Sequence, residues 1–212
     1  MTYNPMYWYA MKVLLTKPLV KRYGKTSART LFRKAKPVYR QLLSEMEGVS
    51  DKNPMASNIY MSFVVVALWL VSARSVSRDT MAVILEEAVD RKPVRAFCGL
   101  VNMNTASGVK MFGKMMRANA DWADKHPEDT NTWDFNFDDT KHEEGFYYHF
   151  THCPIAAFCE EHGYEEITPA LCNIDYTTMS MMHSVLKRDH TVAAGDGICD
   201  YWCYGDKIKD PK

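Results

Sequence analysis

Residues 148–203 read YHFTHCPIAAFCEEHGYEEITPALCNIDYTTMSMMHSVLKRDHTVAAGDGICDYWC, and this stretch decides how the chain is organised. It holds five of the 6 cysteines and five of the 7 histidines of the 212-residue sequence. They are Cys153, Cys159, Cys172, Cys199 and Cys203, with His149, His152, His162, His183 and His190. Nucleophilic and ligating side chains at this density indicate a functional site.

Strand and helix signals alternate along this stretch. Residues 144–153 switch between apolar and polar side chains, which predicts a strand with His149 and Cys153 on one face. Pro154 at a first helical position and Gly163 at a C-cap predict the helix that follows. The other predicted elements are a helix at 171–182 and a hairpin of strands 191–194 and 198–204 joined by Gly195-Asp196-Gly197.

Residues 1–126 have the apolar spacing of helices. Pro18 is expected to kink or divide a first helix over 5–23, and Pro37 is expected to open or bend a third helix, which follows a second one over 27–36. Residues 132–138 alternate and predict another strand. We therefore predict an α+β protein, in which an N-terminal helical layer packs on a small antiparallel sheet formed by the C-terminal part. A helical scaffold, 1–126, precedes a Cys- and His-rich part, 127–212, that carries the site, and both are expected to form one compact unit.

Charge is unevenly distributed, although the net charge is zero. Residues 1–44 hold ten Lys or Arg and no acid, whereas residues 121–144 hold nine acids and two Lys. A basic arm can bind nucleic acid or a membrane surface, but the simpler interpretation is that it faces the acidic segment, within the chain or across a dimer. We expect no nucleic-acid partner, and the opposed charges are compatible with a homo-oligomer.

We expect neither a secretory signal nor a membrane span. Tyr, Trp and Lys are interleaved at the N-terminus, and no cleavage site follows an apolar run. The most apolar run, residues 59–73, is shorter than the roughly 20 residues that a spanning helix needs. Six cysteines without an extracellular signal indicate reduced thiols, and we predict a cytoplasmic protein without membrane contact.

Cys153 lies where a predicted strand ends and a predicted helix begins. The free amides and the dipole of a helix N-terminus lower a cysteine pKa and favour the reactive thiolate. His149, on the same predicted strand face, is placed to act as a base or a cationic partner. The alternative is a buried cysteine with polar neighbours at a strand end.

Cys172 and Asp175 are three residues apart on a predicted helix and therefore share a face. Because a carboxylate alone raises a thiol pKa, this pair requires a positive partner, for which Arg188, His183 or a substrate qualifies. The alternative is a surface Asp next to a core Cys.

A metal or cluster site built from these cysteines and a histidine is a competing hypothesis. The stretch has no CxxC or HxxxH pair, and its cysteine spacing matches no common zinc or iron–sulfur pattern. The chain also lacks a Gly-rich phosphate loop and a GxSxG elbow. We expect no metal and no cofactor.

The segments HFTHCPIAAFCEEHG, ALCNIDY and LKRDHTVAAGDGICDY together resemble the L-2-amino-thiazoline-4-carboxylic acid hydrolase family. The family pattern runs from Thr-x-Cys into a helix ending in Gly, then to Cys-x-x-Asp-aromatic, Leu-x-Arg-x-x-Thr, a Gly turn and Cys-Asp-aromatic. The matching residues are Thr151, Cys153, Gly163, Cys172, Asp175, Tyr176, Leu186, Arg188, Thr191, Gly195, Cys199, Asp200 and Tyr201. The chain departs from the pattern at His152, where many members carry Arg, and at Asp189 and His190, where Thr and Gln are frequent.

The resemblance implies a hydrolase that opens a small cyclic isothiourea to an N-carbamoyl cysteine. This reaction needs a nucleophile, a proton donor for the leaving group, an acid for the amidine and a site for the carboxylate. The implied roles are Cys153 or Cys172 as thiolate with Cys199 assisting, His149 as base or proton donor, Asp175 for the amidinium and Arg188 for the carboxylate. Further implied substrate contacts are Thr151, Thr191 and Asp200. A non-catalytic small-molecule binding module, whose thiols only line a cavity, is the other alternative.

Overall fold

Helices fill the N-terminal part of the chain, and strands first appear at residue 135. The structure, a computed structural model, describes residues 1–139, 141–209 and 211. Its helices are α1 (Pro5–Glu45), α2 (Ala56–Val71), α3 (Arg78–Val89), α4 (Lys92–Cys98), α5 (Ala106–Lys125), α6 (Pro154–Glu161) and α7 (Thr168–Met181). Its strands are β1 (Phe135–Asn136), β2 (Phe146–Phe150), β3 (Ser184–Lys187) and β4 (Cys199–Gly205). The predicted α+β class, with its N-terminal helical region and small antiparallel sheet, is confirmed.

Helix α1 folds back on itself at Gly24. This residue has φ 78° and ψ 162°, a conformation that glycine adopts at little cost. The two arms of the helix therefore lie side by side: the Tyr3 and Tyr39 rings are 5.9 Å apart, and the Trp8 and Phe32 rings are 6.2 Å apart. The N-terminal layer is thus built on a helical hairpin.

The break expected at the prolines is wrong, because Pro18 and Pro37 both lie within helical backbone. Pro18 has no N–H to donate to the Leu14 carbonyl, four residues earlier. The guanidinium of Arg91 donates to that carbonyl instead, so the polar group keeps a hydrogen-bond partner.

The basic residues of segment 1–44 do not form their ion pairs with the acidic segment 121–144 in the part of the chain that the structure describes. Lys21 and Arg22 form their ion pairs with Glu87 of α3. Among the described residues, no ion pair joins residues 1–44 to residues 121–144. The arrangement across a dimer stays a prediction.

One connected cluster of buried side chains runs from α1 and α2 to the sheet. Helix α2 presents Phe63 to Phe158 of α6, with ring centroids 4.6 Å apart, and α3 packs along α7. The helical layer thereby supports both helices that carry candidate cysteines. The boundary between residues 126 and 127 stays a prediction. In the part of the chain that the structure describes, no helix combines the length and the apolar character needed to cross a bilayer.

The described strands form an antiparallel sheet in the order β1-β2-β4-β3. Along β4, alternate side chains point to opposite faces of this sheet. The inner face packs against the helices: Cys203 contacts Met179 of α7, and Tyr148 lies beside Phe112 of α5. The inner face carries Tyr148, Phe150, Cys199, Tyr201 and Cys203, whereas the outer face carries Tyr147, His149, Asp200 and Trp202.

The predicted hairpin of strands 191–194 and 198–204 is wrong, although β4 itself is found. The strand at residues 184–187, β3, pairs with β4 on the side away from β2. Residues 192–194 form a turn of 3-10 helix because the Thr191 hydroxyl accepts the Ala194 N–H at 3.1 Å and the Asp196 carboxylate accepts the Thr191 N–H at 2.9 Å. These local side-chain bonds occupy groups that a strand would pair with its neighbour.

Candidate active site

Cys153 occupies the N-cap position of α6, as the sequence predicted, and Pro154 takes the first helical position. Burial raises the pKa of Cys153 to about 12. The amides of Ala156 and Ile155 and the indole of Trp133 face the sulfur and oppose this shift, as expected at a helix N-terminus. The predicted lowering of the Cys153 pKa is therefore wrong, because the loss of hydration outweighs the helix donors.

Cys172 and Asp175 lie one turn apart on α7, and their positive partner is Arg188, which follows β3. The Arg188 guanidinium donates to Asp175 Oδ2 at 3.2 Å and to the Cys172 carbonyl at 3.2 Å. The Tyr201 hydroxyl donates to the same Asp175 oxygen at 2.9 Å. One oxygen of the carboxylate is thus fixed by two donors from the neighbouring strands.

The Arg188 side chain is enclosed, with only 2% of its surface exposed. Its second terminal nitrogen, Nη2, donates to the Cys172 carbonyl and to Asn173 Oδ1. The guanidinium lies 4.8 Å from the Tyr176 ring centroid and 5.4 Å from that of Tyr201. Its position does not fit the predicted role in binding a substrate carboxylate, because the guanidinium is buried and committed to protein acceptors.

Cys199 lies on the inner face of β4 and is 4% exposed. Its sulfur accepts the Val192 N–H at 3.1 Å. Burial raises the pKa of Cys199, whereas the Val192 amide and the charge of Arg188 oppose that shift. The thiol form is therefore favoured near neutral pH.

Side chains from the start of α6, from α7 and from β4 act on one another electrostatically. Burial raises the pKa of Cys172 well above its ordinary range, and negative charges on Cys153, Asp175 or Cys199 raise it further. A charge on Cys199 likewise raises the pKa of Cys153. We name this group the thiol cluster; it comprises Cys153, Cys172, Cys199, Asp175, Arg188 and Tyr201.

The Asp175 carboxyl is the acidic centre of the thiol cluster. Burial raises its pKa, although the charge of Arg188 and the hydrogen bonds from Tyr201 and Arg188 pull it down. Its side chain keeps 33% of its surface exposed, and no protein group among the described residues donates to Oδ1. One carboxylate oxygen is therefore available to a ligand.

Two contributors were not among the residues singled out as site candidates. The Tyr201 hydroxyl accepts a hydrogen bond from Arg188 and donates one to Asp175. The sequence signal that could have identified Tyr201 is its spacing of two residues from Cys199, which places both side chains on one face of a strand. Trp133 faces Cys153 from the segment before β1, and only the fold brings the two together.

Four predicted site residues lie outside the thiol cluster. His149 pairs with Asp200 on the outer face of the sheet, because β2 ends at Phe150 and the expected alternation does not continue to Cys153. The imidazole Nδ1 of His149 is buried and has no hydrogen-bond partner among the described residues. Its position therefore does not match the predicted role as base or proton donor to these cysteines.

The other three are engaged in the surrounding structure. Thr151 donates its hydroxyl to Asp134 at 2.6 Å, and Thr191 caps the turn of 3-10 helix. Asp200 accepts the backbone N–H groups of Asp189 and His190 at 3.1 and 2.7 Å. From the outer face of the sheet, Asp200 thus fixes the loop between Arg188 and Val192, whose N–H donates to the Cys199 sulfur.

Cys153 and Cys172 are half-buried, unlike Cys199. The cysteines line neither of two surface cavities, of about 270 and 440 Å³, although Trp133 borders the smaller one. Within residues 1–139, 141–209 and 211, no three His, Cys, Asp or Glu side chains are arranged to hold a metal ion.

Comparison with known proteins gives one match. The sequence model of a family described as L-2-amino-thiazoline-4-carboxylic acid hydrolase matches residues 57–203. This range covers α2 from its second residue, α3 to α7, β1 to β3, β4 up to Cys203, and every member of the thiol cluster. No curated protein matches the chain, and no solved structure matches it.

Proposed function

The chain belongs to the L-2-amino-thiazoline-4-carboxylic acid hydrolase family, and from that membership we propose that it opens the ring of a small cyclic isothiourea or amidine by attack of a cysteine thiolate. The substrate that we propose is L-2-amino-thiazoline-4-carboxylate. The observation that carries this proposal is the thiol cluster, in which the Cys153, Cys172 and Cys199 thiols interact electrostatically and Asp175 keeps one oxygen without a donor among the described residues.

Asp175 binds the amidinium of the substrate in this proposal. Its Oδ2 accepts hydrogen bonds from Arg188 and Tyr201, while Oδ1 accepts none from the described residues. A carboxylate held in this way presents a fixed acceptor to a planar cation, and such charge-assisted bonds are stronger than neutral ones. Arg188 acts as a positioning residue, since it orients Asp175 without reaching the substrate.

Cys153 is the nucleophile that the geometry favours. It is half-buried, and the Ala156, Ile155 and Trp133 N–H groups that face its sulfur stabilise negative charge. Burial and the nearby Asp175 carboxylate disfavour the Cys172 thiolate, and Cys199 has a smaller exposed surface. Of the three cysteines, Cys153 is therefore the one that is both partly exposed and faced by several N–H donors.

The high pKa of Cys153 requires that the substrate take part in thiol ionisation. A neutral isothiourea accepts the thiol proton on its ring nitrogen, which gives a thiolate and an amidinium held by Asp175. The thiolate attacks the carbon between sulfur and nitrogen, and the ring C–S bond breaks, so that the ring sulfur leaves and is protonated. Water then adds to the same carbon and releases Cys153 as a thiol, so that one water is consumed and an N-carbamoyl thiol is formed.

Hydrolysis of L-2-amino-thiazoline-4-carboxylate by cysteine variants tests this proposal. The triple variant Cys153→Ala, Cys172→Ala, Cys199→Ala is expected to lose roughly 1,000-fold or more in kcat, as enzymes do without their nucleophile. Cys98→Ala is the matched control, because Cys98 is a buried cysteine of α4 outside the cluster. Release of the N-carbamoyl product is followed by mass spectrometry.

A triple variant with the wild-type rate would rule out cysteine catalysis, provided that far-UV circular dichroism shows a folded protein. Asp175→Asn tests the amidinium site: loss of the charged acceptor destabilises the amidinium that forms when the substrate takes the thiol proton, so kcat/KM is expected to fall by about 10- to 100-fold. The cytoplasmic location and the homo-oligomer remain predictions, which cell fractionation and light scattering test.

A further inference from the structure

A cavity of about 440 Å³ lies over the outer face of the sheet, on the side away from the thiol cluster. Trp202 and Tyr147 of the two central strands lie along it, and His142 covers both, with its ring centroid 4.1 Å from Trp202 and 5.0 Å from Tyr147. This volume is within the range of small-molecule sites, about 300–1,000 Å³. None of the roles assigned to the thiol cluster uses this cavity.

Two histidines that face the cavity are each held by an aspartate. His142 Nδ1 lies 2.9 Å from Asp139 Oδ1, and His190 Nδ1 lies 3.2 Å from Asp200 Oδ2. Each carboxylate also accepts two backbone N–H groups, so its position is fixed by the fold. Both imidazole Nε2 atoms lack a protein partner among the described residues, and they are therefore available to a ligand.

The remaining charged groups of the cavity are of both signs. Lys141 and Lys187 supply two ammonium groups, and Asp138 and Asp189 supply two carboxylates that have no ion pair within the described part of the chain. The Lys187 ammonium lies 4.9 Å from the Trp202 ring centroid, which orients it along the cavity wall. The carboxylates would repel a ligand with only negative charge, and the lysine ammonium groups would repel a ligand with only positive charge.

We propose that this cavity is a second binding site, which takes a small zwitterion of the α-amino-acid class. The lysine ammonium groups and the imidazole Nε2 atoms bind the ligand carboxylate, and the unpaired aspartates bind its ammonium group. A metal ion is a poorer occupant, because no three ligating side chains in the described ranges are arranged around one point.

Titration of the intact protein with the twenty common L-amino acids tests the proposal. At least one of them is expected to raise the melting temperature, and calorimetry then gives its Kd. The amine and the carboxylic acid obtained by removing one charged group from that ligand are expected to bind about tenfold more weakly, since each loses a charged contact.

Variants show where the amino acid binds. Lys187→Gln and His190→Gln change exposed side chains, so the protein stays folded, and each is expected to weaken binding about tenfold. Cys153→Ala and Asp175→Asn leave the Kd unchanged, because both lie at the thiol cluster. The proposal is overturned if no L-amino acid binds, if binding survives the two cavity variants, or if Asp175→Asn abolishes it, which would place the ligand in the thiol cluster instead.

Discussion

Two ion pairs on opposite faces of the sheet have the same length and different surroundings. Arg188 Nη1 lies 3.2 Å from Asp175 on the inner face, and His190 Nδ1 lies 3.2 Å from Asp200 on the outer face. The Arg188 side chain is 2% exposed, whereas that of His190 is 54% exposed. The carboxylates differ in the opposite sense, with Asp175 33% and Asp200 14% exposed. The comparison teaches that burial of the cation, and not distance, distinguishes the two pairs, because water reaches the His190 imidazole and not the Arg188 guanidinium.

Arg188→Leu tests the inner pair and has the largest expected effect. The substitution leaves the half-buried Asp175 carboxylate without its cationic partner, so we expect the free energy of unfolding to fall by about 3 kcal/mol. Urea denaturation measures it. Lys187→Leu is the matched control, since the adjacent cation lies on the outer face and its contact with Trp202 is worth less than about 1 kcal/mol.

The double variant Arg188→Leu, Asp175→Asn sharpens this result. Removing the unpaired carboxylate is expected to restore part of the lost stability. Equal losses for Arg188→Leu and Lys187→Leu would contradict the contrast between the two faces.

Alkylation of Cys153 by iodoacetamide is the next largest expected effect. With a pKa of about 12, its sulfur is almost entirely a thiol near neutrality. Allowing for the greater nucleophilicity of a less acidic thiol, we expect a rate roughly 100-fold below that of N-acetylcysteine in the same tube at about pH 8. Mass spectrometry of the Cys153 peptide gives the rate. The alkylation rate of Cys153 should keep rising with pH above the pH at which the rate of N-acetylcysteine becomes constant. If the Cys153 rate becomes constant at the same pH or below it, the pKa of Cys153 is not raised.

Tyr201→Phe has a smaller expected effect on the same cluster. It removes the hydroxyl that donates to Asp175 at 2.9 Å, so the free energy of unfolding is expected to fall by about 1–2 kcal/mol. Tyr204→Phe is the matched control three residues later, where the buried ring contacts Trp202 at a centroid distance of 4.8 Å. A loss for Tyr204→Phe as large as that for Tyr201→Phe would show that removing any buried tyrosine hydroxyl from β4 is costly, and that the bond to Asp175 is not responsible.

His190→Gln is expected to have the smallest effect, and one that depends on pH. The hydrogen bond with Asp200 raises the pKa of His190 above its ordinary 6.5. A raised pKa means that the pair stabilises the folded state below pH 6.5 and that this contribution is lost as pH rises through the folded-state pKa. The variant should therefore melt slightly below the wild type at about pH 5 and together with it at about pH 9. A large difference at about pH 5 would show that water does not screen the outer pair.

The sequence predicts the fold class and the element on which each candidate cysteine lies because both depend on local patterns. Alternation marks β2 and β4, and a proline marks the start of α6 at Cys153. Spacing of three residues places Cys172 and Asp175 together on α7. These features need no knowledge of which elements are neighbours.

What the sequence does not predict depends on tertiary contacts. The partner strand of β4 was wrong because Thr191 and Asp196 satisfy the local backbone with their side chains. The pKa of Cys153 was wrong because burial is a property of the assembled protein. Arg188 was assigned to a substrate carboxylate because nothing in its spacing shows that Asp175 and Tyr201 enclose it.

The most direct test of the account is a single-turnover reaction with L-2-amino-thiazoline-4-carboxylate that is quenched with acid. The masses of the protein's peptides are then measured by mass spectrometry. We predict an adduct of the opened substrate on Cys153, absent from Cys153→Ala, which should also have lost turnover. No adduct on any cysteine, with an unchanged rate in Cys153→Ala, would contradict the account.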